Sequence, residues 1–418
     1  MARVPGQHWL NAWLAAAAFA VAGIAAAEAD APAAKREAAD SADTLTRITE
    51  PLLASIAEEE ARNGPYSANL IGLLTSLGLA YQENGENVLA VTVLDRALYV
   101  KKINEGLFSI DQAALLERLI ASEVAIGQSA TAEELRGRLL ELARRNLSDA
   151  RSASIFREAA EHEVDLYETY LRDGLPPTFT IGDPLAPQRS AAAGVWRARR
   201  LYNEAIWALT VSPGNSKEHQ AELADLEEGL ARTYYLEASN RNRWYQGVDD
   251  PLYGLGLVSY QRRVGYTGAA SPGEAVEYAR ALVELADWSL LFSRNGTAVK
   301  RYAQAYSLLV EQRVSASSIE EFFPTSMPVF LPAFAPPPLE GVVVAGSRDY
   351  VDVDFEIGKY GQPRKVTIVA VAGHDAQAVS KQLASAISGG RFRPSPGTDG
   401  SGYRLRYSLA DGSLTPRL

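Results

Sequence analysis

The chain has 418 residues, with 41 Lys and Arg against 51 Asp and Glu, a formal net charge of −10 and no cysteine. The missing cysteine excludes a disulfide framework, a thiolate metal centre, a cysteine nucleophile and a lipidated N-terminal cysteine. The acidic balance has the wrong sign for a nucleic-acid partner. With 47% hydrophobic and 22% charged residues the composition is globular, and the length predicts two or three folding units.

At the N-terminus a single basic residue, Arg3, precedes an apolar, mostly alanine run from Trp9 to Ala27 that ends in Ala25-Ala26-Ala27. Residues 1–27 read as a secretory signal. The competing reading is a retained inner-membrane anchor, against which stand Asn11 within the run and the weak contribution of alanine to insertion. Cleavage removes only Arg3 among the charges and leaves 40 basic against 51 acidic residues, a net charge of about −11. An exported chain without disulfides points to a bacterial periplasm, where the sequons at Asn146 and Asn295 carry no meaning. Residues 28–44, rich in Ala, Glu, Asp and Lys without a large apolar side chain, read as a solvated tether, with helix starting near Asp43.

From residue 45 to 321 apolar residues recur every three or four positions, as in Leu115, Leu116, Leu119 and Ile120, then Leu135, Leu139, Leu140 and Leu142. Helices of ten to twenty residues separated by Gly, Asn, Pro and Asp predict paired helices and call for a repeat search. From Ile71 to Asn104 the chain places Leu74, Leu77, Gly78, Tyr81, Ala90, Leu94 and Ala97 around a turn signal at Asn84-Gly85. Gly78 and Ala90 let two helices approach closely, Leu77, Tyr81 and Leu94 fill the space between, and Ala97 makes room for the next pair. Ala279 to Gln312 repeats the offsets with Leu282, Leu285, Ala286, Ala298, Tyr302 and Ala305, although its turn, Asn295-Gly296, comes three residues late and Ser289 stands where Tyr81 did. This pattern resembles the tetratricopeptide repeat, with Leu at the family's large fourth position and no closing proline. Residues 113–147 fit a weaker copy, with Leu119 and Gly127 in place but Glu123 at the tyrosine position. Residues 150–270 are helical without a clear register.

Six prolines between Pro324 and Pro338 exclude helix and mark residues 322–345 as an extended connector. Phe322, Phe323, Phe330 and Phe334 would be sticky in a free linker, so this segment is expected to pack on the last helices or on the C-terminal domain.

In residues 346–418 the period changes to two. Val351, Val353, Phe355 and Ile357 alternate with Asp352, Asp354 and Glu356, a half-buried strand. Gly358 and Gly361 turn the chain into a second strand, Lys365 to Ala372. His374-Asp375 offers an N-cap for a helix carrying Val379, Leu383 and Ile387, ended by Gly389-Gly390. A last strand alternates Tyr403, Leu405, Tyr407 and Leu409 with Arg404, Arg406 and Ser408. The expected fold class is mainly α: a helical-hairpin array followed by a small β-β-α-β α+β domain.

That order, the Gly-rich first turn and the run Arg391-Phe392-Arg393-Pro394 resemble the C-terminal domain of TonB energy transducers over about the last 70 residues. The resemblance implies a periplasmic domain that captures a short peptide of an outer-membrane receptor by strand addition. Tyr403, Leu405, Tyr407 and Leu409 then mark the peptide-binding strand. The repeat-packing set is Leu77, Gly78, Tyr81, Ala90, Leu94, Ala97, Leu285, Ala286, Ala298, Tyr302 and Ala305.

No catalytic or metal constellation stands out. Of His8, His162, His219 and His374, His162-Glu163 begins a zinc-protease-like pattern, but Leu166 occupies the second ligand position. Asp352, Asp354 and Glu356 put three carboxylates on one strand face, which alternation alone demands. Gly254 and Gly256 lack the strand that a dinucleotide loop needs. The segment Arg232 to Tyr266 mixes Tyr234, Tyr235, Trp244, Tyr245, Tyr253, Tyr260 and Tyr266 with Arg241, Arg243, Arg262 and Arg263, a hot-spot composition that inter-helix packing also explains. The expected function is a periplasmic adaptor that binds envelope proteins or peptides, an outer-membrane receptor among the candidates, with no enzyme activity, cofactor or nucleic acid. The alternatives are a membrane-anchored TonB-type energy-transducing component, and an envelope enzyme or glycan binder using this Arg- and Tyr-rich segment, for which loss of cell-wall fragment binding in Trp244→Ala and Tyr253→Ala would be the sign.

Overall fold

The computed structural model describes residues 31–173, 186–214, 216–241, 250–267, 272–333, 348–397, 400–409 and 413–416. The expected signal at 1–27, the pair Trp244 and Tyr245, and the later prolines of the connector lie outside the described residues. The protein is mainly helical, with a small antiparallel sheet domain at the C-terminal end. It divides into two compact units, Met1–Gly137 and Arg138–Leu418. Among the described residues no helix is long and apolar enough to cross a membrane.

The first unit opens with α1 (Ala31–Asn63), followed by α2 (Leu70–Glu83), α3 (Asn87–Glu105), α4 (Ala113–Ala125) and α5 (Ser129–Arg145), which runs across the boundary. Helix α1 begins at Ala31, so residues 31–43, expected as a tether, are helical. Ala, Glu, Lys and Arg are strong helix formers even where no apolar face exists to bury. Successive helices from α1 to α4 pack on one another. The pair α2/α3 carries the predicted spacing, with Leu77, Ala90, Leu94 and Ala97 fully buried. A Cβ on Gly78 would stand 2.6 Å from Leu94 Cγ, so the glycine sets how closely the helices approach. The next helix is tied back by Gln82, whose Nε2 donates to the Arg118 carbonyl at 2.8 Å and to Ser122 Oγ at 2.6 Å.

The second unit comprises α6 (Ala150–Asp173), α7 (Ala186–Val211), α8 (Lys217–Arg241), α9 (Pro251–Tyr266), α10 (Pro272–Leu291), α11 (Asn295–Glu311) and α12 (Ala316–Phe322). Asp250 caps α9 by accepting from the Leu252 N–H at 2.9 Å, with Pro251 opening the helix. Between α6, α7 and α8 the repeat register is hidden because Arg–Glu pairs rivet the helices: Arg197 to Glu163 at 2.7 Å, Arg199 to Glu237 at 2.7 Å and Arg232 to Glu168 at 2.6 Å. The hairpin α10/α11 follows the second predicted copy, burying Leu285, Ala286, Ala298, Tyr302 and Ala305.

The C-terminal domain contains β1 (Phe330–Leu331), β2 (Tyr350–Ile357), β3 (Pro363–Ala372), α13 (His374–Gly389), β4 (Arg391–Phe392), β5 (Ser401–Ser408) and β6 (Leu414–Pro416). Its antiparallel sheet has the order β3-β2-β5-β6, and β1 pairs separately with β4. Helix α13 lays Val379, Leu383 and Ile387 against Val351, Val353 and Leu405, each large aliphatic side chain contributing about 1.5–3 kcal/mol on burial. The N-cap of α13 is Gly373, at φ 101°, and not His374 or Asp375. The Asp349 carboxylate fills the space where a Cβ of residue 373 would stand, so with its positive φ this cap position requires glycine.

Candidate functional site

The sheet domain is mounted on the last helical hairpin through α10. Arg393, just past β4, makes a two-pronged ion pair with Asp287, Nη2 to Oδ2 at 2.6 Å and Nε to Oδ1 at 3.1 Å, and donates Nη1 to the Phe322 carbonyl at 2.9 Å. The side chains retain only 10% and 9% exposure, so the pair is strongly coupled. The Tyr302 hydroxyl on α11 donates to Asp287 Oδ1 at 2.6 Å. Burial and then the Asp287 charge push that phenol far above its ordinary range, which keeps it a donor.

Backbone contacts complete the mount. The Arg393 N–H donates to the Val329 carbonyl at 2.9 Å and the Phe392 N–H to the Gly361 carbonyl at 3.0 Å. Gly361, at φ 73°, sits where a Cβ would lie 2.1 Å from the Phe392 carbonyl oxygen and 2.8 Å from Leu290 Cδ2 of α10. In β1, Phe330 packs on the sheet-domain core with its ring tilted against Phe392 at a centroid distance of 4.6 Å, while its neighbour Leu331 belongs to the core of the helical hairpin. Phe322 and Phe323 are buried in that same hairpin core. The described part of the expected connector is thus packed structure, as its phenylalanines required.

Beside the mount lies a cavity of about 220 Å³, walled by Tyr260 of α9, Val283, Glu284 and Trp288 of α10, Phe322 of α12 and the Pro332 turn. Trp288 sits deep because Gly256 has no side chain; a Cβ there would come within 2.1 Å of the indole. Arg263 faces Glu284 at 2.5 Å, Glu228 at 3.1 Å and Asp225 at 3.2 Å. Burial, with smaller help from the Glu228 and Asp287 charges, holds the Glu284 carboxyl up to about 7 in spite of Arg263. The three acids together raise Arg263, against the opposing effect of its own burial.

The strand nominated for peptide capture lies inside the sheet, paired with β2 along its whole length and with β6 at Leu405, Arg406 and Tyr407. Tyr403, Leu405, Tyr407 and Leu409 are buried in the domain core. Their side chains are therefore core residues, and any role in capture falls to the main chain. The outer face carries cross-strand pairs, Asp352 with Arg406 at 2.8 Å, Asp354 with Arg404 at 2.8 Å and Glu356 with Lys365 at 2.7 Å. Asp352, expected to face water, is fully buried under this layer, and the Arg406 guanidinium lies 3.7 Å from the Tyr350 ring centre.

No protein-family model matches the chain. No curated protein matches it either. Among solved structures, the crystal structure of BtubC (BKLC) from P. vanneervenii is similar at 13% identity, covering 65% of this chain and 91% of that one with a TM-score of 0.36. A likeness at that level carries no argument about activity.

The aromatic and arginine segment resolves into specific partners. The Arg199 guanidinium lies 4.2 Å from the Tyr234 ring centre, and Arg262 pairs with the fully buried Glu227 at 3.2 Å. Tyr260 packs at a tilt against Trp288 with ring centres 5.5 Å apart, and the Tyr253 carbonyl accepts from the Trp288 indole N–H at 3.1 Å. His162 and His219 lie on α6 and α8, in different helices. Sequence reasoning missed Glu284 and Asp287. Their signal was two acids three residues apart among the apolar Val283, Leu285, Ala286, Trp288 and Leu290.

Proposed function

We propose that the chain is a periplasmic protein-binding adaptor in which a TonB-like sheet, fixed to the end of a tetratricopeptide-like helical array, captures an extended peptide segment. The observation that carries the reading is the sheet order, in which, among the described residues, β5 is covered on its outer side by the three paired residues of β6 and by the Ser408 N–H donating to the Ser413 carbonyl. Three ladder positions are a weak seal, and an incoming strand that pairs along more of β5 would replace them with more main-chain hydrogen bonds. The buried Arg393–Asp287 pair supports a fixed presentation of that strand by the helices. The alanine-rich leader and the absence of cysteine support export.

A photoreactive residue placed at Arg404, on the outer face of β5, tests this in cells. Removing residues 413–418 should raise crosslinking to envelope proteins several-fold. An unchanged pattern, with thermal stability preserved, would count against strand capture on β5. N-terminal sequencing of the fractionated protein should give a mature start near Glu28, and an intact Met1 would refute the export reading.

A further inference from the structure

We propose that the cavity beside the mount is a binding site for a small organic cation, an ammonium or guanidinium group. This goes beyond the adaptor reading and does not depend on it.

The walls carry Glu228, Glu284, Asp287 and Glu321 against two cations, Arg280 and Arg393. Both cations are already engaged. Arg393 is held by Asp287 and the Phe322 carbonyl, and Arg280 by Glu321 at 2.8 Å. Behind the wall, Arg263 is divided among Glu284, Glu228 and Asp225. The local charge is therefore negative on a half-enclosed surface, where an added cation is desolvated only in part and still meets carboxylates.

The remaining walls select the kind of cation. Tyr260, Trp288 and Phe322 offer aromatic surface, and Val283, Leu291 and Pro332 are apolar. The Phe322 ring already carries the Arg280 guanidinium at 5.0 Å, and Tyr260 and Trp288 are nearly buried, so the aliphatic walls and the aromatic edges left at the cavity suit the alkyl stem of an organic cation. A hard metal ion demands several converging oxygens, and among the described residues no group of three or more acids or histidines is placed to hold one. The volume suits a side-chain-sized group and is small for a nucleotide or flavin. Burial raises Glu284, and the neighbouring Glu228 and Asp287 charges add to the rise, so a cation bound beside these acids would favour their charged forms.

The same chemistry is presented by a free amine and by a lysine or arginine side chain of a partner chain. Calorimetry on the full chain at pH 8 distinguishes them, using agmatine and cadaverine in one arm and a short blocked peptide with a single central arginine in the other. Saturable one-to-one binding in the first arm identifies a small-molecule site, and binding of the peptide alone identifies a recognition pocket for a partner's basic residue. Either result should weaken about tenfold in Glu284→Gln and in Glu228→Gln, each of which removes one charge-assisted contact. It should also weaken at pH 6, where Glu284 takes up a proton in an environment shared with Asp225, Glu228, Tyr260, Arg263, Arg280, Asp287, Glu321 and Arg393. Glu228→Gln keeps the Arg263–Glu284 pair and serves as the test if Glu284→Gln fails to fold. No saturable binding of either probe at millimolar concentration, or binding unchanged in the folded variants, overturns the proposal.

Discussion

Arg393 and Asp287, 106 residues apart in the chain, form an ion pair in which both side chains are about nine-tenths buried. Removing one partner strands the other charge. Arg393→Ala or Asp287→Ala should therefore cost about 3–5 kcal/mol in chemical denaturation, and the double change Arg393→Met with Asp287→Leu should recover most of it. Single variants within 1 kcal/mol of the parent would mean that water reaches the pair.

Gly361 combines a positive φ with contacts on two sides, the Phe392 carbonyl and Leu290. Gly361→Ala should destabilise the sheet domain by about 2–4 kcal/mol, the sum of backbone strain and overpacking. Gly397→Ala is the control, because it has a similar φ of 81° with open space around it, and should cost about 1 kcal/mol. Equal losses at both positions would remove the steric part of the argument.

Glu284 has its pKa raised to about 7 in the folded protein from an ordinary value of 4.5. Between those values the folded state binds more protons than the unfolded one, so this group's contribution falls as pH rises from about 4.5 to 7 and is level above. The fall is on the order of 1–3 kcal/mol. Comparing urea midpoints of the parent and Glu284→Gln at pH 5 and pH 8 isolates it; the variant should show the smaller drop. A variant that loses as much as the parent assigns the slope to another group.

Gly78 and Leu94 form the tight crossing of α2 and α3. Gly78→Ala should cost about 1–3 kcal/mol by overpacking, and Leu94→Ala about 2–5 kcal/mol by leaving a cavity. Combined, the two changes should cost less than their sum, since the methyl fills space that the leucine vacates. Simple additivity in a double-mutant cycle would show that the two residues do not share one volume.

The legible parts of this fold are those whose signal is local. The offset from Gly78 to Leu94 and the alternation from Val351 to Ile357 lie within one hairpin or one strand, and both match the elements found. Strands β1, β4 and β6 have two or three residues, too few for any periodicity to show. The register between residues 150 and 270 was hidden because arginine and glutamate, which read as surface residues, do the riveting there. The candidate site was hardest to see. Arg393 stood out as part of a short basic and aromatic run, but nothing near it in sequence points to a carboxylate on a helix more than a hundred residues upstream. Asp287 and Glu284 were concealed by being ordinary acids in a helix, and only the apolar character of their neighbours says that they are largely buried.

The two residues of β1 point into different cores, Phe330 toward the sheet and Leu331 toward the helices. A cut before β1 therefore deprives the helices of Leu331, and a cut after it deprives the sheet of Phe330, so either side of β1 leaves one core with an unfilled hole. The smallest transplantable form of the sheet domain then begins near Pro272 and includes α10, α11 and α12 with everything after them. A shorter graft should be insoluble for want of one leucine and one aspartate that its own sequence does not contain.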